Sequence, residues 1–345
     1  MKTGYVFHPS YLLHDPGAGH PEAAARLASV MAYLKSSGLL ERLVKVEARR
    51  ATAEEISLVH TPAYQEKINS ICASGGGSLD ADTVLSPGSC EASEYAAGGA
   101  VAAVEAVMSG TTGKCFALVR PPGHHAFPGR GSGFCVYNNI AVAARYARVK
   151  FGVRRAAILD FDVHHGNGTQ GIFDDDPETM YVSVHQSPHY PGSGGVDDTG
   201  MGGGRGTKVN IPLPAGCGDA QYALVYDEIV MPAVRRFKPE LILVSAGYDA
   251  HRDDPLGGMK LTETGYAAIV ARIAALSEEC CGGKAVFCLE GGYNLEALAR
   301  SIGATFRVLV EEAPAVGIET EPLNYNFGPP DIAGLIRELK TIHKI

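Results

Sequence analysis

Short apolar runs alternate with amphipathic stretches along most of the chain. Most of the runs are apolar at every position, as is typical of strands in a parallel sheet that helices cover on both faces. The predicted strands are TGYVF (3–7), CFALV (115–119), AAILD (156–160), MYVSV (180–184), TKVNI (207–211), LILVS (241–245) and AVFCL (285–289). The predicted helices are Glu22–Ser36, Glu91–Met108, Asn139–Lys150, Asp219–Arg236, Thr262–Glu278 and Leu295–Val310. This alternation predicts an α/β fold, and the lack of any shift in composition predicts one domain over residues 1–345.

The composition narrows the possible classes of partner. The 345 residues carry a formal net charge of −8, with 46 % apolar and 20 % charged residues, an ordinary globular mixture. The negative charge argues against non-specific binding to nucleic acid or to a membrane surface, although it would not obstruct a cationic substrate. We find neither a signal peptide nor an apolar run of the ~18 residues that a membrane span needs. Eight cysteines without a Cys-x-x-Cys pair indicate buried free thiols, so we expect a cytoplasmic protein.

Four of the predicted strands end in segments that combine histidine, aspartate or tyrosine with glycine. These segments are RPPGHHAFPGRGSGFCVYNN (120–139), DFDVHHGNGTQ (160–170), AGYDAHRDDPLGG (246–258) and EGGYN (290–294). In open parallel sheets, binding sites form at the carboxyl ends of the strands. The four segments are therefore predicted to meet at one edge of the sheet and to form a single site there.

Two aspartates and a histidine in these segments suit a metal ion. Residues i and i+2 of an extended chain point to the same face, so Asp162 and His164 can reach one point, with Asp160 deeper. Asp249, at the end of another strand, would complete a set that balances a divalent cation and leaves coordination positions free. The alternative is that these acids cap helices or pair with arginines, and for the isolated Asp249 that alternative stays open.

Two further features suggest catalytic groups. Adjacent histidines, His124 and His125, follow a stiff Pro-Pro-Gly turn, and imidazole can act as a general base near neutral pH. Tyr293 follows the glycine pair of LEGGYN, where its hydroxyl could donate to a developing oxyanion. Taken alone, Tyr293 could equally be an aromatic of the core.

Taken together, these motifs resemble those of zinc-dependent histone deacetylases and their bacterial relatives. The segments that carry the resemblance are RPPGHHA, DFDVHHGNGTQ, SAGYDAHRDDPLGG and LEGGYN, and HPEAAARL is similar to an entry-loop segment of the class II branch. The resemblance runs from about Gly4 to Val310. It implies the arginase/deacetylase α/β fold, with a central eight-stranded parallel sheet, and a single deacetylase domain.

The resemblance also assigns roles residue by residue. Asp162, His164 and Asp249 match the zinc ligands, whereas His165 matches none of them. The tandem histidines match the catalytic pair, with His125 as general base and His124 as its electrostatic or acid partner. Asp160 is implied to bond the first histidine, Asn167, in its class II form, to bond the second, and Tyr293 to be the catalytic tyrosine.

The resemblance further implies two sites for a monovalent cation, K⁺ or Na⁺. The first would use oxygen atoms of Asp160, Asp162, His164, Ser183 and Val184. The second would use Phe173, Asp176, Thr179 and Tyr222. The acidic run at 174–176 could instead be a solvated loop.

A substrate would reach the zinc through a channel. Phe134 and Tyr190 match its two aromatic walls, and Gly133 and Gly291 would allow close backbone contact. At the rim, Ser78 could hold the substrate backbone. The implied substrate is acetylated lysine in a protein or peptide, or a small acetylated amine.

Three alternative functions remain on this sequence. Acetylpolyamine amidohydrolases use the same zinc chemistry with an acid where this chain has Leu256, and the rim acids Asp253 and Asp254 keep that function possible. An arginase-type ureohydrolase would need two manganese ions, which the tandem histidines and GGYN argue against. An inactive acetyl-lysine binding module would need a broken site, and no expected group is missing. The glycine-rich segment 192–206 could serve a homo-oligomer, which the sequence leaves open.

Overall fold

A computed structural model describes residues 2–310 and 329–345. Its strands are β1 (Thr3–Val6), β2 (Val44–Val46), β3 (Gly77–Ser78), β4 (Val84–Leu85), β5 (Lys114–Ala117), β6 (Ala156–Asp160), β7 (Thr179–Gln186), β8 (Lys208–Leu213), β9 (Leu241–Ala246) and β10 (Ala285–Leu289). Its helices are α1 (Ala25–Ser36), α2 (Ala53–Ile56), α3 (Pro62–Ala73), α4 (Ser89–Met108), α5 (Asn139–Phe151), α6 (Asn167–Phe173), α7 (Asp219–Val225), α8 (Met231–Phe237), α9 (Glu263–Cys281), α10 (Leu295–Val310) and α11 (Ala333–His343).

Eight of the strands form one parallel sheet in the order β2-β1-β5-β10-β9-β6-β7-β8, while β3 and β4 pair separately as a small antiparallel ribbon. Every residue of β6, β9 and β10 is buried, so both faces of the sheet are covered, as the continuous apolar runs predicted. The predicted eight-stranded parallel α/β architecture is confirmed. The four strands whose ends carry the polar motifs, β5, β10, β9 and β6, are consecutive neighbours at the centre of the sheet.

The pattern-based prediction missed a break in one helix, and it omitted β2, β3, β4, α2, α3, α6 and α11. Strand β2 is a three-residue edge strand whose residues are all at least partly exposed, so it leaves no apolar run in the sequence. The helix predicted over Asp219–Arg236 is α7 and α8 joined by a π-helical turn over Tyr226–Val230. Pro232 lies in the first turn of α8 and has no amide hydrogen for the regular i→i−4 bond, which accounts for a change of helical geometry there.

The end of the chain packs on the same core as the sheet. Ile336 and Leu339 of α11 are buried in the main apolar cluster, and Arg236 of α8 donates to the carbonyl of His343. Within the described ranges, no helix is both long and apolar enough to cross a bilayer.

Candidate active site

Asp162, His164 and Asp249 come together just beyond the carboxyl ends of β6 and β9. Their ligand atoms all lie within 4.8 Å of one another. His164 Nδ1 is 3.0 Å from Asp162 Oδ1 and 3.2 Å from Asp249 Oδ2. Asp249 Oδ2 is buried and accepts no well-formed hydrogen bond, because the nearby His164 Nδ1 is bonded to Asp162 instead. Such a state is costly for a carboxylate oxygen unless a cation binds it. This donor set fits a divalent metal ion with two carboxylates and one imidazole.

Gly291 and Gly247 have no side chain and so leave room for the carboxylates of the cluster. A Cβ atom on Gly291 would lie 2.0 Å from Asp249 Oδ2, and one on Gly247 would lie 2.1 Å from Asp162 Oδ2. The amide hydrogen of Gly291 also bonds Asp162 Oδ2 at 2.8 Å. Any larger residue at either position would displace the carboxylates, so the backbone approach is part of how the cluster is held.

The carboxylates of this cluster are crowded. Burial, followed by the charge of Asp162, raises the pKa of Asp249 to about 7. Burial would also raise the pKa of Asp162, but the charges of His124 and His164 hold it below its ordinary value. Carboxylates that lie this close together and are this deeply buried favour a bound cation.

The two histidines after β5 have different partners. His124 Nδ1 donates to Asp160 Oδ2 at 3.1 Å, and His125 Nδ1 donates to Asn167 Oδ1 at 2.9 Å. Because the amide oxygen of Asn167 can only accept, Nδ1 of His125 carries the hydrogen and its Nε2 has a free lone pair. His125 lines the pocket described below, so its Nε2 is available as a base.

The two imidazoles also differ in charge. Burial and the neighbouring His124 and His164 lower the pKa of His125 well below its ordinary value, so this ring is neutral. Burial would lower the pKa of His124, but Asp162 and Asp160 raise it to about 10. One ring is thus suited to accept a proton and the other to carry a positive charge beside it.

Tyr293 lies in the segment that follows β10, and its ring lines the same pocket. The ring packs edge-on against Phe134 at 5.8 Å, and the guanidinium of Arg26 lies 4.9 Å from its centre. Burial raises the pKa of its hydroxyl well above the usual value, so Tyr293 keeps its proton and can donate it in a hydrogen bond. Its amide hydrogen bonds Asp254 Oδ2 at 2.6 Å, which fixes the turn.

The sequence analysis missed a buried acid, Glu290, which directly follows β10. Its Oε2 accepts the amide hydrogens of Gly123 at 2.7 Å and His124 at 3.1 Å, and its Oε1 accepts the hydroxyl of Ser245 at 3.0 Å. His124, Cys135 and Glu290 form a second group with ligand-like spacing. Because the Glu290 oxygens already accept three hydrogens, we assign this group to positioning of the histidine turn. The signal was present, since Glu290 directly follows a buried strand and Asp160 ends one.

A second missed feature is a buried ion-pair network under the site. Glu22 Oε1 is 2.8 Å from Arg26 Nη1 and 2.6 Å from Arg120 Nε, and all three side chains are fully buried. Arg26 donates in turn to the carbonyls of Gly292 and Glu290, both at 2.6 Å. This network attaches the start of α1 to the turn that carries Tyr293.

We expect Glu22→Gln to destabilise the protein strongly, because it leaves two buried guanidinium groups without a carboxylate. Removing one partner of a buried ion pair costs about 3–5 kcal/mol in the free energy of unfolding. Burial would raise the pKa of Glu22, but Arg120 and Arg26 lower it from 4.5 to about 2. A depressed carboxyl pKa contributes stability above pH 4.5 that is lost as the pH falls towards 2. Urea unfolding at pH 7 and at pH 3 measures both effects.

Glu47→Gln is the matched control, because Glu47 is 80 % exposed and, within the described part of the chain, pairs with Lys45 alone. Its free energy of unfolding should stay within ~0.5 kcal/mol of the parent. Equal losses in the free energy of unfolding of the two variants would show that the buried network stabilises the protein no more than an exposed ion pair does.

A pocket of about 250 Å³ leads from the surface to the cluster. Its lining residues are Asp82, His125, Gly133, Phe134, His164, His189, Tyr190, Leu256 and Tyr293. Phe134 adopts φ 68°, a left-handed backbone conformation that is rare for an aromatic residue. Such conformations persist only where the surrounding structure holds them, and they are concentrated at functional sites. A Cβ on the preceding Gly133 would lie 2.5 Å from the His125 ring, so glycine is required for the wall to lie this close to the base.

Ser78 and Asp254 are placed differently from their predicted positions. Ser78 is exposed on β3 and does not line the pocket, whereas Asp82, from the turn between β3 and β4, does. Asp254 is buried rather than a free rim acid, because its carboxylate accepts the amide hydrogens of Leu256, Tyr293 and Asn294. The Asp254 carboxylate is therefore occupied in holding the turn that carries Tyr293, while Asp253 is exposed.

His165 and His189 complete the surroundings of the cluster. His165 is turned away, with Nδ1 bonded to Ser193 and Nε2 to Gln170. His189, which the sequence analysis did not single out, stacks on the His164 ring at 4.9 Å and bonds the carbonyl of Leu256 at 2.9 Å. His189 thereby links His164, a candidate metal ligand, to Leu256 in the pocket wall.

The residues of the first predicted monovalent-cation site lie beside one another across β6 and β7, where Asp160 pairs with Ser183. Asp160 Oδ1 accepts the amide hydrogen of Asp162, and its Oδ2 accepts the hydroxyl of Tyr181. Among the described residues, no lysine or arginine donates to the oxygens of this site. Of the second predicted site, Phe173, Asp176 and Thr179 adjoin one loop, whereas Tyr222 lies buried on α7 and no described hydrogen bond joins it to that loop.

Comparison with known proteins agrees with this geometry. A family model described as a histone deacetylase domain matches residues 20–309. A probable deacetylase of Archaeoglobus fulgidus is 44 % identical over 298 residues, which are 86 % of this chain and 82 % of the relative. A histone deacetylase-like amidohydrolase of Pseudomonas aeruginosa is 41 % identical over 80 % of this chain and 73 % of the relative.

The same conclusion comes from a solved structure. The crystal structure of the HDA15 HD domain superposes with a TM-score of 0.89 at 35 % identity and covers 99 % of this chain and 94 % of that chain. The predicted arginase/deacetylase fold is thus confirmed. Similarity at this level, over nearly the whole chain, shows that the protein belongs to the histone deacetylase family and is a deacetylase, a hydrolase that acts on an amide bond.

Proposed function

We propose that this protein is a zinc-dependent lysine deacetylase that releases acetate from the side-chain amide of acetylated lysine in a protein or peptide. The observation that carries the proposal is the cluster of Asp162, His164 and Asp249, with its unpartnered carboxylate oxygen, beside a pocket that His125 and Tyr293 also line. A base, an oxyanion donor and a metal site in one pocket are the parts that amide hydrolysis requires.

A zinc ion held by the three ligands would act as a Lewis acid that polarises the amide carbonyl and makes water a better nucleophile. The neutral His125, through Nε2, takes the proton of the attacking water. Tyr293 donates its hydroxyl hydrogen to the oxyanion that forms on the carbonyl. An imidazole of the pair then gives a proton to the departing amine, and the charged His124 stabilises the negative charge of the intermediate.

The walls and rim of the pocket support lysine as the substrate. The aromatic rings of Phe134 and Tyr190 line the pocket, where they can contact an aliphatic chain, and Leu256 adds an apolar, uncharged side chain to the lining. An acetylpolyamine would bring a second ammonium to the same depth, where leucine offers no charge partner, and an unpaired charge is costly to desolvate.

Leu256→Glu is expected to shift the preference towards acetylpolyamines. A partly exposed ion pair contributes about 1 kcal/mol, so the ratio of kcat/KM for acetylspermidine over an acetyl-lysine peptide should rise about fivefold. The measurement is that ratio in the parent and in the variant. Leu256→Gln is the matched control, since it is similarly polar but uncharged. A parent that prefers acetylspermidine, or an unchanged ratio in Leu256→Glu, would remove the main support for lysine.

The second candidate function, acetylpolyamine hydrolysis, rests on Asp82. This carboxylate lines the pocket mouth, and its side chain could bind an ammonium group there. Rates on an acetyl-lysine peptide, acetylspermidine and acetylputrescine, measured side by side with the metal content, decide between the two substrates. Asp82→Asn separates them further, because it should slow only the polyamines if Asp82 binds their second ammonium.

The remaining assignments are part of the same proposal. We propose a single class II-like deacetylase domain over the whole chain, supported by the packing of α11 on the main core and by Asn167 as the partner of His125. A structural K⁺ at the first monovalent-cation site is supported by the pairing of Asp160 with Ser183. The eight cysteines, all free, suit a reducing compartment, which we propose to be the cytoplasm.

A further inference from the structure

Lys208 is a fully buried lysine outside the catalytic pocket. It is the first residue of β8 and pairs with Tyr181 of β7. A buried ammonium group is costly unless its charge and its three hydrogens all find partners. None of the catalytic steps uses this residue, so its position calls for a separate explanation.

The partners of Lys208 are two carbonyl oxygens at and just before the start of β7 and the hydroxyl of the residue that precedes Lys208. Its Nζ donates to the carbonyls of Asp176 at 3.3 Å and Thr179 at 3.0 Å, and to the hydroxyl of Thr207 at 2.6 Å. Three donors thus meet three acceptors. Two of these acceptors belong to residues that were predicted to bind the second monovalent cation.

We propose that the ammonium group of Lys208 takes the place of the second monovalent cation, so that this chain binds no metal ion there. A lysine ammonium and K⁺ both carry a single positive charge and both bind carbonyl and hydroxyl oxygens. The lysine, however, is attached to the chain and is present at any salt composition.

The charges around the loop argue in the same direction. The carboxylate of Asp176 already accepts Arg148 Nη1 at 2.8 Å and lies 3.1 Å from Arg145 Nη1. With Lys208, three cationic side chains face the carboxylates of Asp174, Asp175 and Asp176, so the loop presents no excess of negative charge to a further cation. Burial lowers the pKa of Lys208 to about 8, against the opposing charges of Asp174, Asp176 and Asp175, so the group is still protonated at pH 7.

The first predicted site differs in this respect. Within residues 2–310 and 329–345, its oxygens receive hydrogen bonds from histidine, tyrosine and backbone groups but from no lysine or arginine. We therefore expect at most one structural K⁺ per chain rather than two. The inference concerns ion binding alone and does not depend on which amide the enzyme cleaves.

Removing the lysine should expose the cation site. In tetramethylammonium buffer without K⁺, Lys208→Ala should lower the Tm by at least about 5 °C, because three buried acceptors lose their donor. Added KCl, at constant ionic strength, should then recover part of that loss and raise the Tm of the variant more than that of the parent. Lys284→Ala is the matched control, because Lys284 Nζ donates to a single carbonyl, that of Cys281, at 2.8 Å.

Crystals in which Tl⁺ replaces K⁺ give a direct readout. The parent should show no anomalous peak at the carbonyls of Asp176 and Thr179, and Lys208→Ala should show one. If Lys208→Ala does not fold, Lys208→Gln takes its place, and the parent crystal alone still tests the proposal. A Tl⁺ ion at these carbonyls in the parent would overturn it. So would a folded variant that gains neither a Tl⁺ site nor a K⁺-dependent rise in Tm beyond that of Lys284→Ala.

Discussion

Asp249→Ala is expected to lose most of its zinc and to fall more than about 100-fold in kcat/KM on an acetyl-lysine peptide. Mutation of a residue that hydrogen-bonds a metal ligand typically lowers metal affinity or activity about 10–100-fold, so the loss of a ligand itself should have a larger effect. The buried, unpartnered Asp249 Oδ2 is the atom that the substitution removes from the cluster. Metal content per chain and kcat/KM, measured on the same preparation, give the result.

The design must separate metal loss from misfolding, because Asp249 Oδ1 also accepts the amide hydrogen of Val163 at 2.9 Å. Asp249→Asn keeps an acceptor for that hydrogen and removes only the charge and one oxygen ligand. Asp253→Ala, at an exposed aspartate four positions along the chain, is the control that should keep both metal and activity. Full zinc occupancy with a normal rate in Asp249→Ala would contradict the metal assignment.

Tyr293→Phe is expected to fold and to bind substrate with little change, but to lose about 10²–10³ in kcat. Loss of one oxyanion donor typically has an effect of this size. Phenylalanine keeps the ring that packs on Phe134 and under Arg26, so the pocket should keep its shape. The KM should therefore stay close to that of the parent, which distinguishes loss of a transition-state contact from loss of binding.

Tyr190→Phe is the matched control, because it removes a tyrosine hydroxyl from the wall of the same pocket. Its kcat should remain within a few-fold of the parent. If Tyr293→Phe behaves like Tyr190→Phe, the hydroxyl of Tyr293 takes no part in catalysis and Tyr293 is a packing residue only.

Much of the fold could be predicted because short stretches of sequence carry the signal for its buried strands. The buried strands β6, β9 and β10 are continuous apolar runs, and such runs occur where both faces of a sheet are covered. The edge strand β2 lacked this signal, since it is short and partly exposed. The π-helical turn before α8 was missed because helical periodicity continues through it and only Pro232 marks the change.

The residues of the site likewise fall into those that local sequence patterns predict and those that they do not. Asp162 and His164 share a face by strand geometry alone. Asp249 could be placed beside them only because parallel strands end at one edge of the sheet, and the family resemblance then assigned it as a ligand. Long-range contacts such as that between Glu22 and Arg120, 98 positions apart, leave no trace in a periodic pattern. A charged residue near a helix start is ordinarily read as surface, and Glu22 is fully buried.

The bonds from Arg26 to the Tyr293 turn also bear on how the active site is made during synthesis. Arg26 lies near the start of the chain, and the carbonyls that it binds are 264 and 266 positions later. Contacts of such high sequence separation form late in folding, after the loop-closure entropy has been overcome. A nascent chain therefore carries His125 and the Asp162–His164 pair long before the Tyr293 turn leaves the ribosome. The turn that carries Tyr293 is therefore fixed in place only after the segments around Arg26 and Glu290 have met.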